Sequence, residues 1–246
     1  MDDCSARTPI FAKSRGALRE NMPVIAPLVL SFDLDDTLWP VGPVIAAAEN
    51  ALLAWLRERY PRAVSGHGIE SMRAMRAGVA ARYPERGHDL TFLRHRALKD
   101  LFAAAGHAEE LADDALEVFM TERNRVEFYD DVRPALVRLS ARYRLFALSN
   151  GNADLSRCGI GDLFAGHVTA RAAGAAKPDP RIFAHLLEIA GVDAARVLHV
   201  GDDPLADVVG ATQAGIPAVW LNRGAREWPE AFARPARTIA SLADIE

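Results

Sequence analysis

Apolar positions along the chain fall into two textures. From about residue 42 to residue 128 they recur at helical spacing, and elsewhere they gather into short continuous runs. In VIAAAENALLAWLRERY, Ala48, Leu52, Trp55, Leu56 and Arg59 sit at helical intervals. The apolar members form one stripe, and Pro61 stands where the helix should stop. Further helices are predicted over 68–82, 90–105 and 109–126, with breaks at RGHD and AGHA. The continuous runs are Leu28-Val29-Leu30, Leu145-Phe146-Ala147-Leu148, Val197-Leu198-His199-Val200 and Ala218-Val219-Trp220-Leu221. Predicted helices over 132–142, over 180–190 and after GDD alternate with them. Short apolar runs alternating with helices indicate a parallel sheet covered on both faces. The expected fold class is therefore α/β, a doubly wound parallel sheet interrupted after its first strand by an all-helical insertion. The expected division is a tail over 1–27, a core over 28–41 and 129–246, and a helical cap over 42–128.

Polar clusters close three of the predicted strands: DLDDT, SNGN and GDDPLAD. Open α/β sheets bind ligands beyond the carboxyl ends of their strands. In an extended segment Asp33 and Asp35 point to one side and Asp36 elsewhere. Two adjacent carboxylates repel, and a hard divalent cation, most naturally Mg²⁺, resolves the repulsion. Asp202, at the end of another strand, is placed to supply a further carboxylate. Asp203 reads as a helix N-cap before Pro204, and Asp207 lies one turn further, where it could orient a metal-bound water. The Ser149 hydroxyl, the amides of Asn150 and Gly151, and Lys177 in AAKPDP are candidate phosphate ligands. Any one of these fragments also suits an ordinary turn or cap. Together, in order along one sheet, they supply a nucleophile, an acid–base group, a metal site and a cationic clamp, as phosphoryl transfer requires.

Composition narrows the partners. A formal net charge of −4 gives no electrostatic reason to expect nucleic acid or an anionic membrane. Cys4 and Cys158 form no CxxC pair, which suits a reducing compartment. No stretch of about 20 apolar residues occurs, and the N-terminus lacks an apolar signal core, so a soluble cytoplasmic protein is expected. Met22 stands where an alternative start could lie.

With these residues placed, the chain resembles the haloacid dehalogenase superfamily of aspartate-nucleophile hydrolases. The likeness rests on Asp33-Leu34-Asp35-Asp36-Thr37, Ser149-Asn150, Lys177, and Gly201-Asp202-Asp203 with Asp207. It implies a Rossmann-like core with an inserted helical cap, Mg²⁺ dependence and a phospho-aspartyl intermediate. Asp33 would be the nucleophile and Asp35 the acid–base. Ser149, the turn amides and Lys177 would hold the phosphoryl group, and Asp33, the Asp35 carbonyl and Asp202 the metal. The dehalogenase branch needs neither a second aspartate in the first motif nor a metal, so Asp35 favours ester hydrolysis. FDLDDTLW, SNGNAD and LHVGDDPLADVVGA are also similar to bacterial phosphatases of flavin mononucleotide and 5-amino-6-(5-phosphoribitylamino)uracil. A phosphomutase or phosphotransferase, a sugar phosphatase, and a silent binding module are the alternatives.

In the cap, TFLRHRALKDLF offers Arg94 and Arg96 on different faces of one helix, so at most one is expected to face the cleft. Trp39 is expected to pack at the hinge, and His199 to be a satisfied core histidine.

Overall fold

A computed structural model describes residues 27–246. The tail expectation for 1–26, with Cys4 and Met22, lies outside the described residues. Six parallel strands form one sheet: β1 (Val29–Phe32), β2 (Arg144–Ser149), β3 (Gly166–Thr169), β4 (Val197–Gly201), β5 (Ala218–Leu221) and β6 (Arg237–Ile239). Their spatial order is β3-β2-β1-β4-β5-β6. The chain therefore leaves β1 toward both sides, which makes the carboxyl end of β1 the switch point where such sheets bind ligands. Register then decides what meets there. Phe32 pairs with Ala147 on one side and Val200 on the other, so Asp33, Ser149 and Asp202 all emerge at the same edge.

Between β1 and residue 124 lie four helices, α1 (Val41–Arg59), α2 (Ile69–Arg82), α3 (Leu90–Ala104) and α4 (Leu111–Arg123). The remaining helices are α5 (Val132–Ser140), α6 (Ala170–Ala173), α7 (Pro180–Ala190) and α8 (Gly210–Gln213), with a π-helical turn over Pro204–Val209. Alternate residues of the strands bury opposite faces of the sheet. Leu30, Phe32, Leu145 and Val200 pack with α5, while Val29, Phe146, Leu148 and Val197 pack with Ile182, Phe183 and Leu186 of α7. The insert has an apolar centre of its own, with Ala48, Leu52 and Leu56 of α1 against Phe102 of α3 and Phe119 of α4. Each large side chain buried there contributes about 1.5–3 kcal/mol.

The stripe read in α1 is buried at Ala48, Leu52 and Leu56, while Trp55 lies half-buried against Tyr60. The helix ends at Arg59, ahead of Pro61. Strands β3 and β6 are additions to the expected sheet. The sequence GHVT has one strongly apolar residue and RTI follows a proline-containing loop, so neither forms a recognisable apolar run. The turn after GDD is π-helical rather than a plain α-helix. Among the described residues no helix is long and apolar enough to cross a membrane.

Candidate active site

The ladder of β1 runs one residue past the strand, because the Asp33 amide donates to the Val200 carbonyl at 2.9 Å. That bond holds Asp33 at the carboxyl edge shared by β1 and β4. Its Oδ1 accepts from Lys177 Nζ at 2.6 Å, and the same ammonium donates to Asp207 Oδ1 at 2.6 Å. The Lys177 side chain is only 2% exposed. Burial acts against its charge, yet Asp207 and Asp33 hold the ammonium well above its ordinary range. Burial pushes the Asp33 carboxyl up, and Lys177 opposes that push. Asp207 is held well below the carboxylate range because Lys177 and His199 outweigh its burial.

Two further bonds fix the Asp207 carboxylate. The Asp203 amide donates to Oδ2 at 2.9 Å, and His199 Nε2 lies 3.2 Å from Oδ1. Burial keeps His199 neutral, so Nε2 donates to Asp207 while Nδ1 accepts from the Ser31 hydroxyl at 2.5 Å. His199 is therefore a satisfied core histidine. Gly201 makes room for this arrangement, since a Cβ there would fall 2.2 Å from Asp207 Cγ. Asp203 caps the following turn by accepting from the amides of Leu205 and Ala206.

Asp33, Asp202 and Asp207 each bring an oxygen within 4.8 Å of the other two. Asp207 thus joins the carboxylate cluster directly, rather than acting only from behind it, while the Asp35 side chain points elsewhere. Asp202 is pushed up to about 6 by burial and by Asp207. Its Oδ2 accepts from Arg226 Nη2 at 3.0 Å, so a cation already rests on it from the solvent side. Asp33 and Asp207 share the buried Lys177 ammonium while Asp202 meets Arg226, so three carboxylates face two cations in an all-oxygen set that suits a hard divalent ion.

The second motif splits into two jobs. Ser149 is buried, and its Oγ accepts from the Gly151 amide at 2.9 Å. The Asn150 side chain clasps the main chain of Lys177, accepting from its amide at 2.7 Å and donating to its carbonyl at 3.0 Å. This amide therefore positions the lysine, and any contact of Asn150 with an anion is left to its backbone. The peptide between Lys177 and Pro178 is cis.

Asp36 is exposed, adopts φ of 60°, and accepts from the Val41 amide at 2.9 Å. It holds the start of α1, where Pro40 offers no side-chain cap. Asp35 turns toward the insert. Trp39 Nε1 donates to its Oδ1 at 2.8 Å, and Arg123 Nη2 reaches both oxygens at 2.8 and 2.7 Å. Trp39 is fully buried, packs edge-on against Phe128, and orients Asp35. Arg123 was not among the sequence candidates. Its one signal was a charge four residues after Phe119, on a stripe otherwise made of Ala112, Ala115 and Phe119.

Arg96 pairs with Asp100, while Arg94 lies over the Phe119 ring at 3.4 Å. Arg94 makes no ion pair among the described residues, and burial with Arg76 nearby pushes it down to about 9. Cys158 is buried beside Asn124 and its thiol is pushed up to about 11 by burial, so it is not a reactive thiolate. A cleft of about 540 Å³ opens at Gly151 and Asn152 and is bordered by His88, Thr91 and Met120 of the insert region. Asp33, Asp35, Lys177 and Asp202 do not line it; Gly151 is its link to their site.

The profile of haloacid dehalogenase-like hydrolases matches residues 28–215. The chain belongs to that family. Among curated relatives of this haloacid dehalogenase-like hydrolase is the 5-amino-6-(5-phospho-D-ribitylamino)uracil phosphatase YigB of Escherichia coli (strain K12). It is 34% identical over 197 residues, 78% of this chain and 82% of that protein. A phosphoserine phosphatase of Thermus thermophilus is 37% identical over 62% of this chain and 63% of its own length. A crystal structure of a 2-haloacid dehalogenase from Pseudomonas syringae pv. Tomato DC3000 has a TM-score of 0.84 at 37% identity. The match covers 89% of this chain and 96% of that one.

Proposed function

We propose that this hydrolase is a cytoplasmic, Mg²⁺-dependent phosphomonoesterase of small phosphorylated metabolites, working through a phosphoryl group carried on Asp33. The observation that carries the reading is the buried Asp33–Lys177–Asp207 triad beside Asp202, with Asp35 held a short distance away. Asp33 Oδ1 is engaged by Lys177, so Oδ2 is the attacking oxygen. As its bond to phosphorus forms, the ester bond to the alcohol breaks, and Asp35 gives the leaving oxygen its proton. Asp35 then takes a proton from water, which attacks the phosphorus, frees inorganic phosphate and restores Asp33. Lys177 and Ser149 steady the phosphoryl oxygens meanwhile. Mg²⁺ on Asp33, Asp202 and the Asp35 carbonyl would neutralise charge on the phosphoryl group. Burial drives Asp33 toward its neutral form, so the nucleophile needs the added positive charge that the carboxylate cluster invites.

The likeness to YigB supports flavin mononucleotide or a riboflavin-pathway ribityl phosphate as substrate. A second reading, 2-haloacid dehalogenation, draws on the 37% identity to a protein of that name. The aspartate pair favours phosphate esters. The test is release of phosphate from a panel of monoesters including flavin mononucleotide, with Mg²⁺ and with chelator, beside release of chloride from 2-chloropropionate. Mg²⁺-dependent phosphate release without chloride release is expected. Chloride release alone would overturn the proposal, and phosphate release only with an added acceptor would favour a phosphotransferase. Ranking flavin mononucleotide no higher than sugar phosphates would remove the riboflavin assignment alone.

A further inference from the structure

Arg123 ends α4 with its side chain 1% exposed, and Asp35 is its one anionic partner among the described residues. A single nitrogen, Nη2, spans both Asp35 oxygens, while Nε and Nη1 are buried without partners. The end of α4 is itself clamped to the core. Asn124 donates to the Met120 carbonyl at 2.7 Å and accepts from the Asp154 amide at 2.7 Å. Asn152, beside the second motif, donates to Thr91 of α3 at 3.2 Å. On the core side Gly151 lets the pair approach, since a Cβ there would lie 2.5 Å from Asp35 Oδ2 and 3.1 Å from Arg123 Nη2.

We propose that Arg123, at the end of α4 in the helical insert, is a positioning residue that aligns the acid–base carboxylate of Asp35. The proposal rests on the phosphatase reading and goes beyond it. Asp35 is tethered from two directions, by Trp39 on its own chain segment and by Arg123 across 88 residues of sequence. Trp39 reaches only Oδ1, so without Arg123 the carboxylate is free to turn about that one bond.

The readout is leaving-group dependence. An alkyl phosphate needs a proton on its departing oxygen, whereas p-nitrophenolate leaves without one. Values of kcat/KM report phosphoryl transfer to Asp33 and exclude the later water step. In Arg123→Met, kcat/KM should fall by about 10²-fold for glycerol phosphate and by no more than a few-fold for p-nitrophenyl phosphate. Equal losses on both substrates, or no loss on the alkyl ester, would overturn the proposal. Arg123→Lys keeps the charge and one donor, so it should show a smaller loss of the same selectivity; it serves as the test if Arg123→Met does not fold. In an Asp35→Asn background, Arg123→Met should add little further loss on glycerol phosphate, and a full additional loss would count against the assignment. Were the unaltered chain inactive on both esters with Mg²⁺, the phosphatase reading would fall and take this proposal with it. Activity that is insensitive to Arg123 would remove this proposal alone.

Discussion

Replacing Lys177 with methionine removes one buried cation from between two buried carboxylates, each 2.6 Å from its nitrogen. Methionine fills much of the same volume, so the change acts mainly on charge. Breaking a buried pair by deleting one partner costs about 3–5 kcal/mol, because the other charge is left uncompensated. That is a large part of a typical stability of about 5–15 kcal/mol. For a chain of this length it corresponds to a fall in Tm of roughly 6–20 °C. The sign of the pH dependence follows from the same contacts. Lys177 holds Asp207 below its unfolded value, so that stabilisation is present at neutral pH and is lost only as pH falls through the depressed value. Without the lysine, burial acts on Asp33 unopposed and on Asp207 opposed by His199, so both carboxyls rise from where the lysine held them; protonation then relieves the strain. Urea and thermal unfolding of the chelated protein should therefore show a larger penalty at about pH 7 than at about pH 5. Added Mg²⁺ should restore part of it. A loss under about 1 kcal/mol, or one that grows on acidification, would refute the reasoning.

Gly151→Ala should lower kcat by about 10- to 100-fold and stability by about 1–3 kcal/mol, since its Cβ would overlap Asp35 Oδ2. Turnover within twofold of the unaltered enzyme would show that the close approach is dispensable. Asp202, pushed up to about 6, must lose its proton to hold a cation. Titration calorimetry should find Mg²⁺ affinity level above about pH 7 and falling toward tenfold per unit below about pH 6. An affinity unchanged down to about pH 5 would contradict the place of Asp202 in the metal set.

Much of the fold can be read in the sequence because the central strands are continuous apolar runs, and β1, β2, β4 and β5 all announce themselves that way. The edge strands do not: GHVT and RTI each have a face that little covers, so they need few apolar residues. Asp33, Ser149 and Asp202 were visible because each stands in a polar cluster at the end of such a run, and Lys177 because it stands in the turn-rich AAKPDP ahead of a helix. Arg123 was hidden for the opposite reason. It ends a helix, 88 residues from the carboxylate it meets, and only the packing of α4 against the core brings them together. Asn150 shows a different limit. Its place in the motif is plain, but sequence spacing cannot reveal that its amide is used on the backbone of Lys177 rather than on a ligand.

The division of labour in FDLDDTLW is the centre of the account, and it is tested by Mg²⁺-dependent phosphate release from Asp33→Asn, Asp35→Asn and Asp36→Asn side by side. Asp33→Asn should release none. Asp35→Asn should be slower by about 10²- to 10⁴-fold. Asp36→Asn should stay near the unaltered rate, because its carboxylate only holds the Val41 amide at 2.9 Å. Turnover that survives loss of Asp33, or an equal loss in all three variants, would contradict the account.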